Sequence, residues 1–182
     1  MGTEQRILDG ADIDRSLMRI THAILEEHRG AGNLVLIGIH TRGVDLAKRI
    51  QSLLQEIEGI TIPTGEMDIT LYRDDWTRIG PQPVVQATDI SFSVDGMQVI
   101  LVDDVLYTGR TTRAALDALV DFGRPDRIEL AVLVDRGHRE LPIQANYVGK
   151  TIRTRKPEMV NVMLKERDGK DQVVLANAVP SQ

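Results

Sequence analysis

Between Val99 and Thr112 the chain reads VILVDDVLYTGRTT: an aliphatic run, two adjacent carboxylates at Asp103 and Asp104, and a turn rich in hydroxyls with one glycine. Val99 to Val102 predict a buried strand of a parallel sheet, with the acids at its carboxyl end, where open α/β sheets bind ligands. The turn Tyr107-Thr108-Gly109-Arg110-Thr111 leads into an amphipathic helix expected from near Thr111 to about residue 122. A helix start offers free N–H groups and a positive dipole end. Gly109 lets the backbone come close, Thr108, Thr111 and Thr112 add hydroxyl donors and Arg110 adds charge, so the turn suits one phosphate. The two carboxylates would repel that phosphate unless they face another part of the same ligand, either hydroxyls or a bound Mg²⁺. The bland alternative is a buried strand ending in solvated acids that help cap a helix; the attached TGRTT favours a binding site. The rival Walker pattern, G-x-x-x-x-G-K-[ST], is not completed anywhere in the chain.

The rest of the sequence sets the frame for that segment. Its 182 residues predict one α/β domain spanning 1–182, and 42% hydrophobic with 27% charged residues is ordinary for a water-soluble fold. The longest apolar stretches, Leu34 to Ile39 and Leu130 to Val134, are too short for a membrane span, and no signal-peptide pattern opens the chain, so a cytoplasmic location is expected. Zero cysteines exclude disulfides and thiol chemistry, and four scattered histidines make no zinc pattern. Any metal is expected to be Mg²⁺ arriving with a substrate. The net charge of −5 argues against nucleic-acid binding by the whole surface. Locally, Arg136, Arg139, Lys150, Arg153, Arg155 and Lys156 face only Glu140 as counter-charge within 136–156, which is either a solvated loop face or a surface for an anion or RNA.

Asp12 or Asp14 is expected to cap a first helix running to about Arg29, with Ile13, Leu17, Ile20 and Ile24 on one stripe. A strand at 34–39, the turn His40-Thr41-Arg42-Gly43 and a helix striped by Leu46, Ile50, Leu53, Leu54 and Ile57 follow, with Gly59 at the helix end. A β-type run from Glu66 to Leu71 leads into a charged loop or hairpin from Tyr72 to Pro81. Gly123-Arg124-Pro125 stops the third helix, and Glu129 to Val134 is the next buried strand. The pattern then weakens, ending in a hairpin of Val160 to Lys165 and Val173 to Leu175 turned at Asp168-Gly169. This order predicts a mostly parallel sheet covered on both faces, with the polar turns 40–43, 103–111 and 135–139 delivered to one edge.

The 99–112 segment resembles the phosphoribosyl-pyrophosphate motif of type I phosphoribosyltransferases. The strings DITLYRDD (68–75), LVDDVLYTGRT (101–111), ALDALVDFGRP (115–125) and LAVLVDRGHRELP (130–142) extend the likeness to the PyrR family, pyrimidine-operon attenuation regulators with uracil phosphoribosyltransferase activity. The resemblance implies a type I phosphoribosyltransferase-like, mostly parallel sheet flanked by helices, with a small hood built from the chain's end regions. It also implies phosphoribosyl pyrophosphate (PRPP) with Mg²⁺, uracil, and UMP or UTP as ligands, and a homo-oligomer.

By the same resemblance Asp103 and Asp104 would hold the ribose hydroxyls, Asp104 also standing near the cationic anomeric carbon, and Tyr107, Thr108, Gly109, Arg110, Thr111 and Thr112 would hold the 5′-phosphate. Thr41, Arg42 and Gly43 would form the pyrophosphate turn, and the loop around Arg73 would close over the reacting centre. Asp135 and Arg136 would face uracil and the metal-bound pyrophosphate, with Asp135 a candidate metal contact. Arg19, His22, Arg139 and Lys150 would contact the pyrimidine-operon leader mRNA. The chain departs from the family at His40, Gln144 and the 152–157 segment, which leaves a transferase without an RNA role as the alternative.

Overall fold

The computed structural model of the chain describes residues 4–72 and 87–177. Arg73, and with it the loop expected through Pro81, lies outside the described residues.

Five strands form a parallel sheet: β2 (Leu34–Ile39), β3 (Thr64–Met67), β4 (Gln98–Leu106), β5 (Arg127–Asp135) and β6 (Tyr147–Thr151), in the spatial order β3-β2-β4-β5-β6. Alternation along the strands divides the apolar runs between two layers. Leu34 and Leu36, Ile100 and Val102, Ala131 and Leu133 pack under α1 (Gly10–His28) and α2 (Arg42–Glu58). Val35 and Ile37, Val99 and Leu101, Leu130 and Val132 pack against α3 (Arg110–Leu119) on the other face. Both faces being covered explains why these strands read as unbroken hydrophobic runs. Among the described residues no helix is long and apolar enough to cross a membrane.

The end regions build the hood, an antiparallel sheet in the order β1 (Glu4–Leu8), β8 (Gln172–Asn177), β7 (Glu158–Met163). Its β7–β8 hairpin is the expected one, but the connection holds a short helix, α4 (Lys165–Asp168), and β1 completes a sheet that the first residues did not announce.

Several boundaries differ from expectation for local reasons. Asp9, not Asp12 or Asp14, caps α1; Asp12 is the reciprocal member of the same capping box, its carboxylate accepting from the Asp9 N–H. The run from Glu66 to Leu71 is strand only to Met67, after which residues 70–72 form a 3₁₀ turn. β4 does not stop at the acids but continues to Leu106, because β5 pairs with it as far as Asp135.

One contact fixes where α2 begins. Gly43 lies so close to β4 that a Cβ there would land on the carbonyl oxygen of Val102, and would stand 3.1 Å from the Cα of Asp103. Backbone cannot yield as a flexible side chain can. Gly43→Ala is therefore expected to cost about 2–3 kcal/mol of stability, measured by urea unfolding, as α2 is pushed off the sheet; an unchanged urea midpoint would mean that the helix start is not seated there.

Candidate active site at the carboxyl edge of the sheet

Register brings the three turns together. β2 pairs Gly38 with Val102, so it ends level with Asp103, and β4 pairs Leu106 with Asp135 at the end of β5. The turns after Ile39, Leu106 and Asp135 therefore leave the sheet at the same edge.

Asp103 and Asp104 sit inside β4, where successive side chains take opposite faces. Asp103 is buried and its Oδ1 accepts from the Asp104 N–H at 2.9 Å; Asp104 is half-buried and its Oδ1 accepts from the Val105 N–H at 2.8 Å. Each carboxylate is thus braced on the next amide, and Asp104 is the more accessible of the pair.

The turn beyond them opens α3 on a glycine. Gly109 adopts φ 93°, a left-handed conformation natural to glycine, and starts α3 with no side-chain cap and no acidic residue in its first turn. The helix therefore begins at Arg110, one residue before Thr111; its N-cap glycine supplies no side-chain cap, and the Arg110 N–H donates to Thr108 Oγ1 at 3.3 Å. Behind the turn, the Thr108 carbonyl accepts from the N–H groups of Glu140 and Leu141 at 2.9 and 3.2 Å. Thr112 is buried, while Thr108, Arg110 and Thr111 are half-buried.

On the β5 side, Asp135 accepts from the Gly137 N–H at 3.0 Å and from Arg139 Nη2 at 2.6 Å. Arg139 also donates to the carbonyls of Ile143 and Tyr107, at 2.9 and 2.7 Å, so it ties three parts of the site together. The buried Arg136 guanidinium stacks 4.0 Å from the Tyr107 ring centroid and donates to the Arg155 carbonyl at 3.2 Å, while its Nε has no hydrogen-bond partner. His138 meets the same ring edge-on and donates from Nε2 to the Thr154 carbonyl at 2.6 Å.

The third turn is less open than its sequence suggests. Thr41 leads into α2 with no side-chain cap, and Arg42, the first residue of the helix, forks onto Asp168 of α4, Nε to Oδ2 at 3.2 Å and Nη2 to Oδ1 at 2.8 Å. Three further pairs continue down the same helix face. Arg167 Nε donates to Asp45 Oδ2 at 2.5 Å, and Arg49 forks onto Glu166, at 2.8 and 2.6 Å, and onto Asp171, at 2.8 and 3.3 Å. This clasp joining α2 to the hood was not foreseen. Its signal lay in the spacing of Arg42, Asp45 and Arg49 at i, i+3 and i+7, with alternating charge, facing a KERDGKD segment that reads as an ordinary turn.

The expected RNA-contacting residues lie on α1, on β6 and in the turn after β5. Arg19 and His22 are exposed on one stripe of α1, where Arg19 donates to the Gly149 carbonyl at 2.6 Å. Lys150 is exposed on β6, where alternation sends it to the face opposite Gly149, which lies against Ser16 of α1. Arg139 is half-buried in the site.

The model of the phosphoribosyl transferase domain family matches residues 6–166. A protein of Desulfosudis oleivorans named bifunctional protein PyrR is 62% identical over 170 residues, covering 93% of this chain and 94% of its own length. A Deinococcus radiodurans protein of the same name is 58% identical, covering 93% and 92%. The crystal structure of Trypanosoma cruzi hypoxanthine phosphoribosyltransferase has the same fold, with a TM-score of 0.72 at 16% identity over 96% of this chain and 97% of that one.

The clasp makes stability sensitive to acid. The Arg42 guanidinium, then the Leu164 N–H, hold the Asp168 carboxyl below the usual carboxylate range, and Arg49 does the same for Glu166. For Asp171 burial pushes upward most strongly, yet the Arg49 and Lys165 hydrogen bonds outweigh it and the net direction is down. A carboxyl whose pKa is lowered on folding stabilises the native state above its unfolded value, near 4, and loses that contribution as pH falls through the folded value. Arg49→Gln is thus expected to lower the urea midpoint clearly at pH 7 and by progressively less as pH falls through the lowered folded values and the carboxylates take up protons; an equal loss at every pH would mean that Arg49 acts through packing alone.

Proposed function

We infer that this chain, which belongs to the PyrR family of phosphoribosyltransferases, catalyses uracil + PRPP → UMP + diphosphate and regulates the pyrimidine operon by uridine-nucleotide-dependent binding to leader mRNA. One observation carries the catalytic half: an acid pair on the central strand, immediately ahead of a glycine-started helix with no side-chain cap, level with the turn that opens α2. A phosphorylated sugar needs those parts together, donors for the phosphate and acceptors for the hydroxyls a few ångströms away.

In this reading Tyr107 to Thr112 hold the 5′-phosphate, and Asp103 and Asp104 accept from the ribose hydroxyls. Breaking the bond from C1 to pyrophosphate builds positive charge on the sugar and negative charge on the leaving group. Asp104, the more accessible acid, supports the first, and the turn Thr41-Arg42-Gly43 with Arg42 supports the second. Buried Arg136, with an unpaired Nε beside Tyr107, adds a desolvated cation on the side where pyrophosphate and base meet. Mg²⁺ would arrive with PRPP and screen the pyrophosphate charge; the carboxylate oxygens of Asp104, the more accessible acid, are of the donor type it takes, and Asp135, already engaged by Gly137 and Arg139, is a weaker candidate contact. No covalent nucleophile is needed.

For the regulatory half, Arg19 and His22 on α1 and Lys150 on β6 supply exposed phosphate contacts, whereas Arg139 acts through Asp135 and the phosphate turn.

UMP synthesis from uracil, PRPP and Mg²⁺, followed alongside binding of a pyrimidine-operon leader RNA with and without UMP, tests both halves. Asp104→Asn is expected to fold normally and lose roughly 10²-fold or more in UMP synthesis, because an amide supplies no negative charge beside the cationic sugar; wild-type rates would remove Asp104 from the site. Lys150→Gln is expected to weaken RNA binding and reduce its salt slope by about 1 while UMP synthesis is kept. An unchanged slope would place the RNA elsewhere.

A further inference from the structure

On the reading above, the leaving pyrophosphate meets the turn at 40–43, and Arg42 is the side chain there that carries a full positive charge. We propose that Asp168, in the hood, is a positioning residue for this reaction: it grips one edge of the Arg42 guanidinium so that the other edge is turned to the pyrophosphate. A guanidinium is planar, with five N–H donors in a fixed fork. Asp168 takes Nε and Nη2, and Nη1 with its two N–H groups lies outside the fork. An arginine clamped in this way presents a preset donor edge and loses less rotamer freedom when it binds.

Both ends of the pair are anchored. Arg42 opens a helix whose start is fixed by Gly43 against the Val102 carbonyl. Asp168 is held in α4, its Oδ2 accepting from the Leu164 N–H at 2.8 Å and its own N–H donating to the Leu164 carbonyl at 2.7 Å. Arg167 on Asp45 and Arg49 on Glu166 and Asp171 prevent α4 from sliding along α2. Asp45 and Asp171 are nearly buried in these pairs, with side chains 8% and 6% exposed, so the clasp is more rigid than an isolated surface ion pair. The Arg42–Asp168 pair is itself more open, at 32% and 23%. It lies at the end of the clasp next to the pyrophosphate turn, where an arriving anion can reach it.

The test is a double-mutant cycle on the full chain, read by calorimetric titration of inorganic pyrophosphate with Mg²⁺ and by the KM values for PRPP and uracil. Asp168→Asn keeps the shape and removes the charge. It is expected to weaken pyrophosphate binding roughly tenfold and raise the KM for PRPP by a similar factor, with the KM for uracil unchanged. Arg42→Gln should lose at least as much, and the double variant no more than Arg42→Gln alone. Asp12→Asn, which breaks the capping box of α1 and no contact of the clasp, should lower the urea midpoint and leave pyrophosphate binding intact. Wild-type pyrophosphate affinity in Asp168→Asn, a double variant showing the product of the two single losses, or failure of the wild-type chain to bind pyrophosphate would each overturn the proposal. Absence of UMP synthesis by a wild-type chain that binds pyrophosphate would instead overturn the assigned reaction, leaving the cycle to decide the role of Asp168.

Discussion

The seat of Gly43 on β4 is the contact on which the site's geometry depends. It lets the first turn of α2 rest directly on the carbonyl of Val102 and beside Asp103, so the turn at 40–43 and the acid pair are held by backbone against backbone. Parallel pairing extends the effect to the other side, since β5 keeps register with β4 as far as Leu106 and Asp135. Two packed helices and a loop could not fix these turns as closely through flexible side chains alone. The glycine is thus not a loose hinge in the turn but the point where the turn is attached.

Around this rigid edge the protein arranges charge in two ways. Where a ligand is expected, groups are left with capacity to spare: the N-cap of α3 is a glycine with no capping side chain, and buried Arg136 has an unpaired Nε. Where the hood must stay in place, charges are matched pair for pair between α2 and the segment from Glu166 to Asp171. Removing one partner from such a half-buried set strands the other, which is why the clasp resists piecemeal change. Arg42 stands where the two meet, in the clasp and in the turn at 40–43.

Much of this was legible in the residues. LVLIGI at 34–39 is strand over the same residues as read, because a strand buried on both faces has a continuous apolar signature. The turn from β4 into α3 was legible because glycine after a strand and before an amphipathic run marks a helix start. What escaped depends on distant partners. β1 is a largely exposed EQRIL that is strand because β8, from the other end of the chain, pairs with it. The end of β4 was placed early because two acids look like a stop, whereas β5 continues the pairing past them. Arg139 reads as a surface cation in a basic stretch, yet Asp135 and two carbonyls turn it inward. Arg42 reads as an open anion contact, and its partner Asp168 stands 126 residues away along the chain.

The claim that three strand-end turns act as one ligand site is tested most directly by amide hydrogen exchange of the full chain with and without PRPP and Mg²⁺. Binding at the carboxyl edge should slow exchange together at 40–43, 104–112 and 135–139 and leave the opposite edge of the sheet, around His28 and Arg127, as it was. Protection at that opposite edge, or at one of the three turns without the others, would contradict a single site.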